Sequence, residues 1–286
     1  MLERRPGWWI AAIYATALVV VALAVGPAIW LVLGAFQPAG GDVGDPVSSL
    51  VLGVEGDGAD RQRATLENFG AAWGGGDLAR PLINSVIVTA ARTTLGVLLA
   101  ALAAYPLARM SFAGRRILFL VILATTMIPE QVIVVPMFKI ASGLGLFDSL
   151  AGAVIPFAVS AFGVFLCMQA FEQVPHELEE AARMDGASTL RIWWNVMLPL
   201  SAPTLATLAL FSIIGAWSDL LWPLVILQSE SNFTLPVKIN EMLGLFSTNP
   251  RVAYAASVLA LLPIIAFFLI MQRWLRPSLF AGAVKG

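Results

Sequence analysis

Six stretches of this chain stay apolar for about twenty residues or more, and that repetition limits its possible folds more than any other feature. They cover 8–36, 82–108, 117–140, 150–171, 200–227 and 252–271. A helix rises about 1.5 Å per residue, so each is long enough to cross a hydrocarbon core about 30 Å thick. Of 286 residues, 59% are hydrophobic and 12% charged, with a mean hydropathy of +0.84. Soluble domains carry about 25% charged residues, so most of the exterior here must face lipid. The expected fold class is an all-α integral membrane protein with six transmembrane helices. Pro106, Pro129, Pro136, Pro156, Pro223 and Pro263 fall within or beside these runs. Proline is tolerated in a span when neighbouring groups satisfy the freed backbone.

The first run follows Glu3, Arg4 and Arg5, and Ala22-Leu23-Ala24 mimics a signal-peptide cleavage site. The apolar stretch continues well past that point, which favours an uncleaved first helix. Residues 37–80 differ in kind, with seven acids against three bases and a Gly74-Gly75-Gly76 run. They read as an extracytoplasmic loop with a short helix around 65–73. The domain reading is therefore an N-terminal helix (1–36), this loop (37–80), a five-helix core (81–272) and a cytoplasmic tail (273–286).

Orientation follows from the bases. With the N-terminus inside, the cytoplasmic segments hold ten (Arg4, Arg5, Arg109, Arg115, Arg116, Arg183, Arg191, Arg273, Arg276, Lys285) and the outer segments six (Arg61, Arg63, Arg80, Lys139, Lys238, Arg251). Both termini are expected in the cytoplasm. A net charge of -1 gives no electrostatic case for nucleic acid. The single cysteine, Cys167, rules out an intramolecular disulfide, and the single histidine, His176, a His-based metal cluster.

Residues 172–198 form an unusual cytoplasmic segment. Pro175 suits a first helical turn, and Glu177, Glu179 and Glu180 favour the positive end of a helix. Gly186 suits the position just past that helix, and Ser188 caps a second one carrying Ile192, Trp193, Val196 and Met197. Helical spacing puts Leu178, Ala181, Ala182 and Asp185 on roughly one face, where small side chains admit a close neighbour. An interfacial helix lying at lipid headgroups is the plainer alternative. Its acid content fits an anionic leaflet poorly and a docked protein better.

Glu180-Ala181-Ala182, then Asp185-Gly186-Ala187, then Leu198-Pro199, resembles the EAA loop of permease subunits in binding-protein-dependent ATP-binding-cassette importers. Asn84-Ser85, the 104–109 stretch Ala-Tyr-Pro-Leu-Ala-Arg, Ile128-Pro129, the 143–146 stretch Gly-Leu-Gly-Leu and Trp217-Ser218-Asp219 through Leu224 resemble the carbohydrate-type members related to the maltose permease subunit MalG. So does the tail, 281–286. The likeness implies a type I importer permease fold with a cytoplasmic EAA coupling-helix loop. It implies a second permease subunit in a heterodimer, two cytoplasmic ATPase subunits and an extracytoplasmic solute-binding protein. It makes Glu180, Ala181, Ala182 and Gly186 the residues that couple to the ATPase, supported by Asp185. It also implies a prokaryotic cytoplasmic (inner) membrane location and a sugar or polyol cargo, with glycerol phosphate as the alternative.

Arg92, Glu130 and Asp219 are ionisable groups within or beside spans, where lipid exposure costs about 2.5–3.5 kcal/mol at the bilayer centre. Each is expected to face protein or water, as a translocation-pathway residue or as a structural pair. Glu130 follows Pro129, where a break would gate a pathway. Trp217 and Trp222 flank Asp219 and serve either as sugar-stacking groups or as interfacial anchors. Gly74-Gly75-Gly76-Asp77 lacks the Lys-Ser/Thr of a phosphate-binding loop. No cofactor is therefore expected in this chain, with ATP and Mg held by partner subunits, and the chain is not expected to be an enzyme. A secondary transporter, marked by inverted repeats and interrupted helices, and a membrane enzyme or scaffold are the competing classes.

Overall fold

The computed structural model describes the backbone of residues 7–38, 64–75, 77–244 and 249–281, and among these there is no strand. The basic N-terminal flank (Arg4, Arg5), most of the acidic loop and Gly282–Gly286 of the tail lie outside the described residues. The described residues fall into two compact units, one within Met1–Leu78 plus Ile239–Leu262 and the other within Ala79–Lys238 plus Pro263–Gly286.

In the first unit, α1 (Gly7–Ala35) runs unbroken through Ala22-Leu23-Ala24 and exposes most of its apolar surface. A helix apolar all round is built for lipid. The expected short loop helix is α2 (Glu67–Gly70), continued by a π turn at Ala71–Gly75. Buried Asn68 folds it back on the end of α1, its Nδ2 donating to the carbonyls of Ala35 (2.9 Å) and Gln37 (2.7 Å). The Ala35 carbonyl is one that the ending helix leaves without an internal donor.

The second unit is organised on α3 (Ala79–Arg109), the second expected span. It is followed by α4 (Arg115–Thr125), α5 (Glu130–Gly143), α6 (Leu150–Val154), α7 (Ala161–Glu172), α8 (His176–Met184), α9 (Thr189–Ile192), α10 (Leu198–Leu200), α11 (Ala202–Ser218) and α12 (Leu221–Ile226). α13 (Leu235–Met242) and α14 (Pro250–Ala281) complete the chain. Ala100, Ala101 and Ala104 on α3 are fully buried, and their small side chains let α7 and the 192–197 segment approach closely. Trp193 Nε1 donates to the Ala101 carbonyl at 3.2 Å, fastening that segment to α3.

By length and apolar composition the described residues offer three unbroken spans (α1, α3, α14), and six where each of three bent helix pairs forms one span. The third bends by 101° between α4 and α5, the fourth by 51° before α7, and Thr189–Leu200 meets α11 at 80°. Pro129 explains the sharpest bend, because proline holds its predecessor out of helical conformation and donates no backbone hydrogen bond. The fifth run is shorter than its apolar length implied: α11 stops at Ser218, Asp219 is extended, and α12 restarts at Leu221. The sixth helix overruns its expected end, continuing to Ala281.

Candidate functional site

Two features of the second unit are candidates for function: a cavity with a few convergent polar groups where its helices are interrupted, and a bare face on α8.

The cavity holds about 600 Å³ and is lined in part by Arg92, Glu130, Gln131, Ser160, Ser212 and Asp219. Three helix interruptions reach it, through Ile128 before α5, Ala158–Ser160 before α7, and Ser218–Leu220 after α11. Non-helical backbone at membrane depth leaves amides and carbonyls without internal partners and persists where it borders protein or water. Gly96 on α3 permits one of these approaches, since a Cβ there would stand 2.8 Å from the Ala158 carbonyl oxygen.

Arg92 and Asp219, 127 residues apart in sequence, form an ion pair across this cavity, Nη1 to Oδ2 at 2.7 Å. Arg92 also lies over the Phe157 ring at 5.3 Å, and its buried Nε has no hydrogen-bond partner. Asp219 Oδ1 accepts the Trp222 amide at 3.3 Å, in the first turn of α12. Glu130 shares the same wall. The two tryptophans are placed otherwise. Trp222 is buried away from the cavity, its Nε1 donating to the Gly152 carbonyl at 2.9 Å and its ring meeting Phe157, so it packs the core and offers no stacking face. Trp217 is half-buried and is not part of the cavity wall.

Beside the C-terminal end of α3, α8 forms as the sequence implied. Pro175 stands one residue before the first turn, Gly186 takes φ +77° just past the helix, and Ser188 Oγ accepts the Arg191 amide at 3.4 Å. Leu178, Ala181 and Asp185 are exposed, as are Glu180 and Gly186. Ala182 departs from the expected face, turning half inward against the core.

What holds α8 in place was not read from the sequence. Glu179 belongs to the trio expected only to favour the helix N-terminus, yet it is buried. Its Oε1 accepts from Tyr105 Oη and from Arg183 Nη2, each at 2.8 Å, and Oε2 lies 3.8 Å from Arg109 Nε. Burial pushes the Glu179 carboxyl up. The hydrogen bonds from Arg183 and Tyr105, with the charges of Arg183 and Arg109, outweigh that and leave it below its ordinary range. The same bond to Glu179 raises Arg183. Arg109 in turn donates through Nη2 to the carbonyls of Phe171 (2.6 Å) and Val174, closing the end of α7. The available signal was the spacing of Tyr105 and Arg109, four apart on one helix face opposite a Glu179–Arg183 pair also four apart.

A bent-helix bundle with a cavity at its helix breaks and an anchored, exposed EAA helix has counterparts among known proteins. Residues 94–281 match the family described as binding-protein-dependent transport system inner membrane component. The chain belongs to that family. It is similar to the arabinooligosaccharides transport system permease protein AraQ of Bacillus subtilis (strain 168), 32% identical over 261 residues, covering 91% of this chain and 90% of AraQ. It is likewise similar to the trehalose transport system permease protein SugB of Mycobacterium tuberculosis (strain CDC 1551 / Oshkosh), 36% identical over 226 residues, with coverage of 78% and 82%. Among solved structures, a bacterial ABC transporter involved in import of the acidic polysaccharide alginate superposes with a TM-score of 0.76 at 25% identity, covering 96% of this chain and 99% of that one. The binding-protein-dependent permease is thus a multi-pass inner-membrane transport subunit of an ATP-driven importer, and not an enzyme. It works with substrate-binding and ATPase components. Interrupted helices, expected of a secondary transporter, are therefore present in an importer permease.

Proposed function

We propose that this permease passes a sugar or related polyol from an external binding protein to the cytoplasm, in a heterodimer with a second permease subunit and above two ATPase subunits. The observation that carries this reading is the pairing, in one compact unit, of a cavity reached by three helix interruptions with an α8 fastened on one side and bare on the other. AraQ and SugB, named for oligosaccharide and trehalose transport, support the cargo class, and glycerol phosphate is the alternative within it.

In this scheme Glu180, Ala181, Ala182, Asp185 and Gly186 contact an ATPase subunit, which alone holds ATP and Mg. Arg92, Glu130 and Asp219 line this chain's share of the pathway, and Trp217 stands beside it. Both termini and residues 172–198 face the cytoplasm, while 37–80 lies outside as a loop between the N-terminal helix and the five-helix core. The test is purification of the assembled importer with Glu180 or Gly186 substituted. Loss of the ATPase subunits with the membrane fold intact is expected. Full retention with undiminished uptake overturns the coupling assignment.

A further inference from the structure

We propose that the cavity wall contributed by this chain admits uncharged, hydroxyl-bearing solutes and turns away anions, and that Glu130 sets this preference. The inference rests on the reading of the cavity as a translocation pathway and decides between the neutral and phosphorylated cargoes which that reading leaves open.

Among the residues lining the cavity, one carries a base, Arg92, and two carry acids, Glu130 and Asp219. The Arg92 charge is already matched by Asp219 at 2.7 Å. Whichever protonation state Glu130 takes, the wall therefore holds no uncompensated positive charge. An entering phosphate or carboxylate must either compete with Asp219 for the guanidinium, stranding a mostly buried carboxylate, or remain unpaired in a partly dehydrated space. Ionised Glu130 adds repulsion, since like charges in a low-dielectric cleft are felt over several ångströms.

Neutral hydroxyls meet a different wall. Ser160 Oγ accepts the Gly163 amide at 2.9 Å and keeps its own proton to donate, while Ser218 Oγ donates to the Ile214 carbonyl at 2.6 Å and keeps lone pairs to accept. Phe162 and Phe211 offer apolar surface in the same wall. A few convergent polar groups on an otherwise apolar cavity suit a small polar ligand in general. The alginate importer, whose cargo is acidic, shares the fold, so fold alone does not fix the sign of the cargo.

The test needs no knowledge of the natural cargo. Ser212→Cys, and separately Gln131→Cys, places a thiol in the cavity of the assembled importer, and the parent complex, whose Cys167 is fully buried, supplies the background. Reaction rates are measured with a cationic (trimethylammonium), an anionic (sulfonate) and a neutral (methyl) thiosulfonate, each normalised to its rate with free 2-mercaptoethanol. The expected result is a cationic-over-anionic preference of about thirtyfold, since one unit charge at about 8 Å and an effective dielectric constant of about 40 changes each rate by about five- to sixfold in opposite directions. The neutral reagent should react readily, and the preference should shrink in a Glu130→Gln background. Parity or an anionic preference at both positions, with the thiols reached, overturns the inference and leaves the pathway reading standing. A preference that Glu130→Gln does not alter overturns the role given to Glu130. Thiols that no reagent reaches, with or without nucleotide, overturn the pathway reading itself and the inference with it.

Discussion

Tyr105 Oη donates to Glu179 Oε1 at 2.8 Å, joining the C-terminal end of α3 to a buried carboxylate on the back of α8. Arg92 lies on the same α3, thirteen residues before Tyr105, or about 20 Å along the helix axis. One helix therefore carries an ion pair of the cavity near its middle and the anchor of α8 near its C-terminal end.

Removing the Glu179 carboxylate should loosen α8 without unfolding the bundle. Glu179→Ala leaves buried Arg109 without its counter-charge, and breaking such a pair costs about 3–5 kcal/mol. Tyr105→Phe removes one hydrogen bond and costs about 1–2 kcal/mol. Hydrogen exchange on residues 176–184 of the purified complex should accelerate strongly in the first variant and mildly in the second. In a double-mutant cycle the two losses should be clearly non-additive.

Acid should act on the same joint. The folded Glu179 carboxyl titrates below its ordinary value of 4.5, so its contribution is complete above that pH and is lost as the pH falls through the folded value. Protection of α8 against proteolysis should hold at neutral pH and decline only in acid, at pH below the ordinary carboxyl value of 4.5. Glu179→Gln should remove that acid-dependent component.

Gly186 lies in the left-handed region at φ +77°, with open space where a Cβ would go. Strain rather than a clash therefore decides the outcome, and Gly186→Ala should cost about 1–2 kcal/mol. Gly186→Asn should be milder, because asparagine tolerates that conformation. Transport per ATP hydrolysed should fall further in the alanine variant than in the asparagine variant.

The Arg92–Asp219 pair is open to charge exchange. Asp219→Ala strands a guanidinium that is 7% exposed and should lower complex stability by about 3–5 kcal/mol in a thermal-unfolding assay. The double exchange Arg92→Asp with Asp219→Arg should recover part of that loss. No recovery would mean that Arg92 is held by Phe157 and the cavity rather than by its partner.

The class of fold was legible because lipid imposes a simple rule: runs of apolar residues about twenty long announce spans, and all six proved to be helical. The coupling loop was legible because its local chemistry, Gly186 after a helix and Ser188 before one, depends on few residues. A break at Pro129 was legible but its angle was not, since proline in a span signals a kink without its size, and the interruption at Asp219 was hidden because apolar content is the same on both sides of it. Pairing was hidden for a related reason. Arg92 finds Asp219 across 127 residues, and Glu179 finds Tyr105 across 74, at separations where periodicity carries no information. Trp222 was misjudged because a tryptophan beside a charge looks alike whether it faces a pathway or packs the core.

The most direct test of the account is solute uptake by proteoliposomes containing the permease pair, with and without the ATPase subunits and external binding protein. The account predicts uphill accumulation only when all components and ATP are present. Uphill accumulation by the permease pair alone, driven by an ion gradient, would contradict it.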